Sequence, residues 1–359
     1  MKVGIIGMPN AGKSSLFNAL TQAGAQAANY PFTTIEPNIA VVPVEDPRMV
    51  QVAQTVGASE IVWDTIAFHD IAGLVAGAHK GEGLGNQFLA NIRETDALLH
   101  VVRSHGDSNV IHSEGSVDPL RDIEIIETEL IFADLEQAER RHQRVSREAR
   151  GGDAHAIAEE QWLAAVIEAL SAGRPARTVP VPDDAPDAMR LLQPLTGKPV
   201  LFIANVDEGD AAVPEAIAAH AEKEGAGAVA ISSRLEAELS ELSDEDAAAM
   251  RTDLELDASG LELVVRGAFD LLELIAFFTA GEAKPAQSWH LRRGSTAWDG
   301  AGAIHTDIQK GFVRAEIIGW EALVEAGGYA AARDKGTLRT EGRDYLMADG
   351  DVITVNFTP

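Results

Sequence analysis

The sequence predicts an α/β fold: a mainly parallel sheet with a glycine loop at its centre, an inserted α-helical hairpin and a small C-terminal β-rich unit. Three observations predict it. The apolar run Val3-Gly4-Ile5-Ile6 leads into Gly7-Met8-Pro9-Asn10-Ala11-Gly12-Lys13-Ser14 and then into the amphipathic stretch Ser15-Leu16-Phe17-Asn18-Ala19-Leu20. Between Asp122 and Gly173, apolar residues at helical spacing give way to a charged run and resume after Gly151-Gly152. Beyond Ile275 the chain breaks into short strands separated by glycine and aspartate turns.

The glycine loop is the most specific of these. Strand, loop and helix in that order aim successive backbone N–H groups and a helix N-terminus at one spot, which concentrates partial positive charge there. The fixed positions of GxxxxGK[ST] are all met. Gly7 and Gly12 let the backbone approach phosphates without a Cβ in the way, and Lys13 supplies a point charge. Asn10, Ala11, Gly12, Lys13, Ser14 and Ser15 are the expected cradle, and the Ser14 hydroxyl is placed to ligate Mg²⁺.

Taken in order, the chain adds the other parts of a triphosphate site. Residues 21–45 read as a loop around Asn29-Tyr30-Pro31-Phe32-Thr33-Thr34, with Thr34 where a γ-phosphate sensor completes a metal shell. The strand Ile66–Asp70 ends in Asp70-Ile71-Ala72-Gly73, which sets the Asp70 carboxylate near Mg²⁺ and the Gly73 N–H near the γ-phosphate. Buried strands follow at Leu98–Arg103, Pro199–Ala204 and Ala228–Ile231, and a helix at Leu261–Leu274. The arginines from Arg140 to Arg150 read as a solvated face with Glu–Arg pairs. The expected domains are 1–121 with 199–280 for nucleotide binding, 122–198 for the hairpin and 281–359 for the β-rich unit.

Composition narrows the function classes. Cysteine is absent, which excludes thiol catalysis and disulfides and agrees with a cytoplasmic location. No stretch is long and apolar enough to span a bilayer, so no membrane role is expected. A formal charge of −27 argues against a whole surface that clamps nucleic acid, and no DNA specificity is expected. Residues 281–359 carry nine Lys+Arg against eleven Asp+Glu, so a local RNA contact would fall there, at Arg292-Arg293 or from Lys310 to Arg314.

Three stretches carry a family resemblance: Gly-Met-Pro-Asn-Ala-Gly-Lys-Ser-Ser, Asn-Tyr-Pro-Phe-Thr-Thr-Ile-Glu-Pro-Asn and Asp-Ile-Ala-Gly-Leu-Val. They resemble the Obg group of translation-factor P-loop GTPases, and within it the YchF, or Obg-like ATPase, family. The run from Gly302 to Glu316 resembles that family's TGS domain. The resemblance covers essentially the whole chain. It implies a P-loop NTPase (G-domain-like) fold, a β-grasp-like C-terminal domain, Mg²⁺ as cofactor, and the ribosome, 50S or 70S, as partner.

Base choice is read from Asn205-Val206-Asp207-Glu208, where a GTPase of this class carries Asn-Lys-x-Asp. The lysine is replaced by valine and the terminal carboxylate is one methylene longer, so guanine loses its bidentate acceptor. ATP over GTP is expected, with Asn205, Val206, Glu208, Ser232 and Ser233 around the base. A GTPase of the same architecture and a small-molecule phosphotransferase are the alternatives. Leu74 stands where a water-orienting glutamine would, so intrinsic turnover is expected to be slow. The resemblance implies His112 as the candidate that positions the water, with Lys13 and Gly73 at the γ-phosphate, and makes Asn10 a candidate ligand of K⁺.

Overall fold

The strand β1 (Lys2–Ile6) buries four of its five residues because it lies inside a parallel sheet covered on both faces. The computed structural model describes residues 1–27, 38–71, 84–106, 116–254, 256 and 259–358. In chain order the further strands are β2 (Ile39–Pro43), β3 (Ile61–Val62), β4 (Thr65–Asp70), β5 (Ala97–Arg103), β6 (Val200–Asn205) and β7 (Gly227–Ile231). They continue with β8 (Leu274–Thr279), β9 (Ala286–Arg292), β10 (Phe312–Gly319), β11 (Arg339–Glu341) and β12 (Asp351–Phe357). Two compact units result, Met1–Val42 with Ala67–Leu271 and Pro43–Ile66 with Leu272–Pro359.

The first unit holds the sheet β2-β4-β1-β5-β6-β7, in which β1 runs parallel to β4 and β5, β5 to β6, and β6 to β7. All seven residues of β5 are buried, as a central strand between two layers requires. Phe68 and Phe202 are fully buried, each worth roughly 1.5–3 kcal/mol of transfer from water. Register fixes where the motifs end. Ile5 stands opposite Asp70, Arg103 opposite Asn205, and Asn205 opposite Ile231, so the segments after β1, β4, β6 and β7 leave from the same carboxyl edge. That edge, at the point where the order reverses around β1, is where α/β sheets take ligands.

The hairpin is present as helices Pro119–Ala149 and Ala154–Ser171. Asp118 caps the first by accepting from the Arg121 N–H at 3.2 Å ahead of Pro119, and Asp153 caps the second by accepting from Ala156 N–H at 2.8 Å. The hairpin lies within the first compact unit. The reason is its root: Ile126, Leu130 and Ala133 share a core cluster with Ile6, Met8, Leu98 and Leu195. Buried Asp134 reinforces the junction by accepting from the N–H groups of Leu195 (2.8 Å) and Thr196 (2.7 Å). Arg140 pairs with Glu136 on the surface as expected, whereas Arg141 is drawn inward to an ion pair with buried Glu159.

The second unit corrects two boundaries. Residues 272–280, expected in the nucleotide-binding domain, contain β8, which lies inside the sheet β11-β10-β12-β8-β9-β3 between β12 and β9. Pro43–Ile66 also belongs here, because β3 pairs with β9, Ile61 opposite Ala286. Asp64 strengthens that attachment: its N–H donates to Ser288 Oγ and its carboxylate accepts from the His290 N–H, both at 2.8 Å. Arg48, at the start of helix Pro47–Val56, bridges Asp46 and Asp349 at 2.7 Å each and lies over the Phe278 ring. Ala297 and Ala301 of helix Ala297–Ile304 close the core with Ile275, Phe277, Ile317 and Ile353.

Candidate functional site

The loop after β1 is shaped by close approaches that only glycine permits. A Cβ on Gly7 would lie 2.3 Å from the Val101 carbonyl oxygen, and one on Gly12, at φ +104°, would lie 2.2 Å from Asn205 Nδ2. Asn10 takes the left-handed conformation at φ 61°. Helix Lys13–Ala27 starts at the end of this loop, so its unpaired N–H groups face the carboxyl edge of the sheet.

Those elements wall a cleft of about 1020 Å³. Asn10, Gly12, Lys13, Ser14 and Ser15 line it together with Asn205, Val206, Glu208, Ser232 and Ser233. Ala11 does not line it: the residue is 2 % exposed, its N–H donates to the Met8 carbonyl at 3.3 Å, and its own carbonyl accepts from Asn205 Nδ2. Thr34, Gly73 and His112 lie outside the described residues.

Lys13 is buried and donates from Nζ to the Met8 carbonyl at 2.8 Å. Burial lowers its pKa, and the nearby Asp70 charge opposes that shift. Burial conversely raises the pKa of Asp70, with Lys13 opposing. Asp70 Oδ1 is buried and meets no hydrogen-bond donor among the described residues. An orphaned carboxylate oxygen at a strand end next to the phosphate loop fits a hydrated Mg²⁺, a hard cation that takes one or two protein oxygens plus phosphates. Ser14 and Asp70 are the described residues that would hold it.

Several wall residues escape sequence reasoning: His105, Gly106, Ala237, Glu238 and Glu241. The Gly106 N–H donates to Asp207 Oδ2 at 3.2 Å, and Arg234 Nε lies 3.3 Å from Glu208 and 3.1 Å from Glu238. Ser232 caps helix Ser233–Leu239, and the Ser233 hydroxyl is buried with no hydrogen-bond partner among the described residues. The one readable signal for this wall is the second carboxylate, Asp207, beside Glu208.

Comparison with known proteins decides the family. A ribosome-binding ATPase YchF of Haemophilus influenzae is 46% identical over 359 residues, covering 99% of each chain. The chain belongs to the YchF family. A Bacillus subtilis YchF of the same description is 42% identical over 363 residues, again covering 99% of each chain. The solved structure of the Schizosaccharomyces pombe YchF GTPase superposes with a TM-score of 0.88 at 32% identity, covering 99% of this chain and 97% of that one. Residues 2–133 match a family described as 50S ribosome-binding GTPase. Residues 274–358 match the YchF GTPase C-terminal family, described as a protein of unknown function. Both expected parts of the fold, the P-loop domain and the YchF C-terminal domain, are therefore present.

Proposed function

We propose that this YchF chain hydrolyses ATP to ADP and phosphate as a nucleotide-dependent switch that docks on the ribosome, as the 50S subunit or the 70S particle. The observation that carries the base choice is the Glu208–Arg234 ion pair at 3.3 Å. It engages the carboxylate that guanine would need, and buried Val206 replaces the lysine that would pack on the base. Relatives across the full length are described as ribosome-binding ATPases. The GTPase reading rests on the description of the yeast structure and on Glu208 standing on the cleft wall.

In the mechanism, the loop N–H groups and the helix N-terminus orient the phosphates, and Lys13 places its charge against them. Ser14 and Asp70 would hold Mg²⁺, with Thr34 completing the shell; bound there, the ion neutralises charge on the phosphate oxygens. Asn10 is assigned a supporting role toward K⁺, checked by turnover in KCl against NaCl. In this reading the Gly73 N–H would meet the γ-phosphate and His112 would orient the attacking water in place of the glutamine that Leu74 replaces. A phosphotransferase would need a lid of free arginines over the cleft, and the cleft's Arg234 is engaged by Glu208 and Glu238.

The chain would work in the cytoplasm, beside the ribosomes that its relatives are described as binding. Local RNA contact by the C-terminal unit is part of the proposal. The test is ATP turnover with purified ribosomes or with a pool of small metabolites. Stimulation by ribosomes is expected; stimulation by metabolites alone contradicts the reading.

A further inference from the structure

The long helix Pro119–Ala149 changes character along its length. Its root packs against the sheet through Ile126, Leu130 and Ala133, while Ala138, Val145 and Ala149 pack in a separate cluster with Ala156, Trp162 and Leu163 of the hairpin's second helix. At 3.6 residues per turn, Arg140, Arg144, Arg147 and Arg150 fall within an arc of about 120° on the side opposite that buried stripe. Residues 139–150 hold five arginines against two glutamates in a chain of net charge −27.

Several arginines of this acidic chain are neutralised locally. Arg48, Arg121, Arg177 and Arg333 each lie within 3.3 Å of a carboxylate. Arg144, Arg147 and Arg150 are exposed and form no ion pair among the described residues. Glu148 stands four positions after Arg144, a pairing distance, yet does not engage it. The helix dipole favours cations in the last turn, which accounts for Arg147 and Arg150 but fades before Arg144 and Arg140.

We propose that this face of the hairpin binds the phosphate backbone of structured RNA. The inference rests on the ribosome reading and names a contact surface for it, separate from the C-terminal unit. Guanidinium forks match phosphate geometry, and successive arginines three residues apart rise about 4.5 Å along a rigid helix. A membrane surface is the poorer fit, because an interfacial helix needs an exposed apolar face and this one is spent against the second helix.

The test uses the full-length protein, a fluorescein-labelled hairpin RNA and a KCl series, with the triple variant Arg144→Gln, Arg147→Gln, Arg150→Gln and its Arg→Lys counterpart. Each lost phosphate contact lowers the slope of log K against log[salt] by about 0.7–0.9, so the Gln variant is expected to lose about two to three and to bind at least about tenfold more weakly. The Lys variant keeps the slope, and both keep the RNA-free ATPase rate. Equal slope and affinity for wild type and the Gln variant, no RNA binding by wild type at the lowest salt, or equal competition by polyglutamate would overturn the proposal. Co-sedimentation with ribosomes separates the two readings. Wild type that binds the RNA through these arginines but does not pellet with ribosomes contradicts only the ribosome assignment; pelleting with RNA binding that ignores the arginines contradicts only the hairpin face.

Discussion

Asn205 Nδ2 donates a 2.9 Å hydrogen bond to the carbonyl of Ala11. The other end of the same side chain accepts from the Ser233 N–H at 2.9 Å. One buried amide therefore ties the phosphate loop to the loop after β7, and its role in the cleft is to hold both walls in place.

Asn205→Ala leaves a buried carbonyl and a buried N–H unmet, at a cost of about 1–3 kcal/mol. A lower Tm is expected, with ATP, ADP and GTP all weakened together in calorimetric titrations. Loss confined to one base would show that Asn205 reads the base instead.

Gly12→Ala puts a Cβ into Asn205 Nδ2 at a φ of +104° that alanine rarely adopts. Nucleotide binding is expected to fall by at least about 100-fold while the far-UV circular dichroism spectrum stays native. Unchanged affinity would mean that the loop relaxes away from Asn205.

The double change Val206→Lys, Glu208→Asp rebuilds a guanine-reading slot and removes the long carboxylate that reaches Arg234. The ATP-to-GTP affinity ratio is expected to move toward GTP by about tenfold or more. A ratio that does not move would place base selection elsewhere in the cleft.

His100 is buried on β5, and burial, assisted by the charges of His220 and Lys13, pushes its pKa down from 6.5 to about 3. Its surroundings include the Phe202 ring and the His220–Glu127 pair at 3.0 Å. Between pH 6.5 and about 3 the unfolded chain takes a proton that the folded chain refuses, so stability is lost as pH falls through that window. His100→Gln should therefore lose less Tm than wild type between about pH 7 and pH 5, measured by differential scanning calorimetry. Parallel curves would show that His100 does not drive the acid response.

What the sequence discloses here is what is local. Gly7 to Ser14 declare the cradle because loop, strand and helix are contiguous, and Gly151-Gly152 declares the turn of the hairpin. Membership of Pro43–Ile66 in the second unit is not local. It depends on Ile61–Val62 finding Ala286-Gln287 far along the chain, and apolar periodicity says that a residue is buried without saying against what. The same limit hides Gly106 in the cleft wall and the inward turn of Arg141 toward Glu159, both set by topology.

The central claim is an ATP site built on a P-loop frame, and competition isotherms with ATP and GTP on the wild-type chain in Mg²⁺ test it most directly. The account predicts that ATP displaces a labelled nucleotide at concentrations at least about tenfold below GTP. Tighter binding of GTP would contradict it.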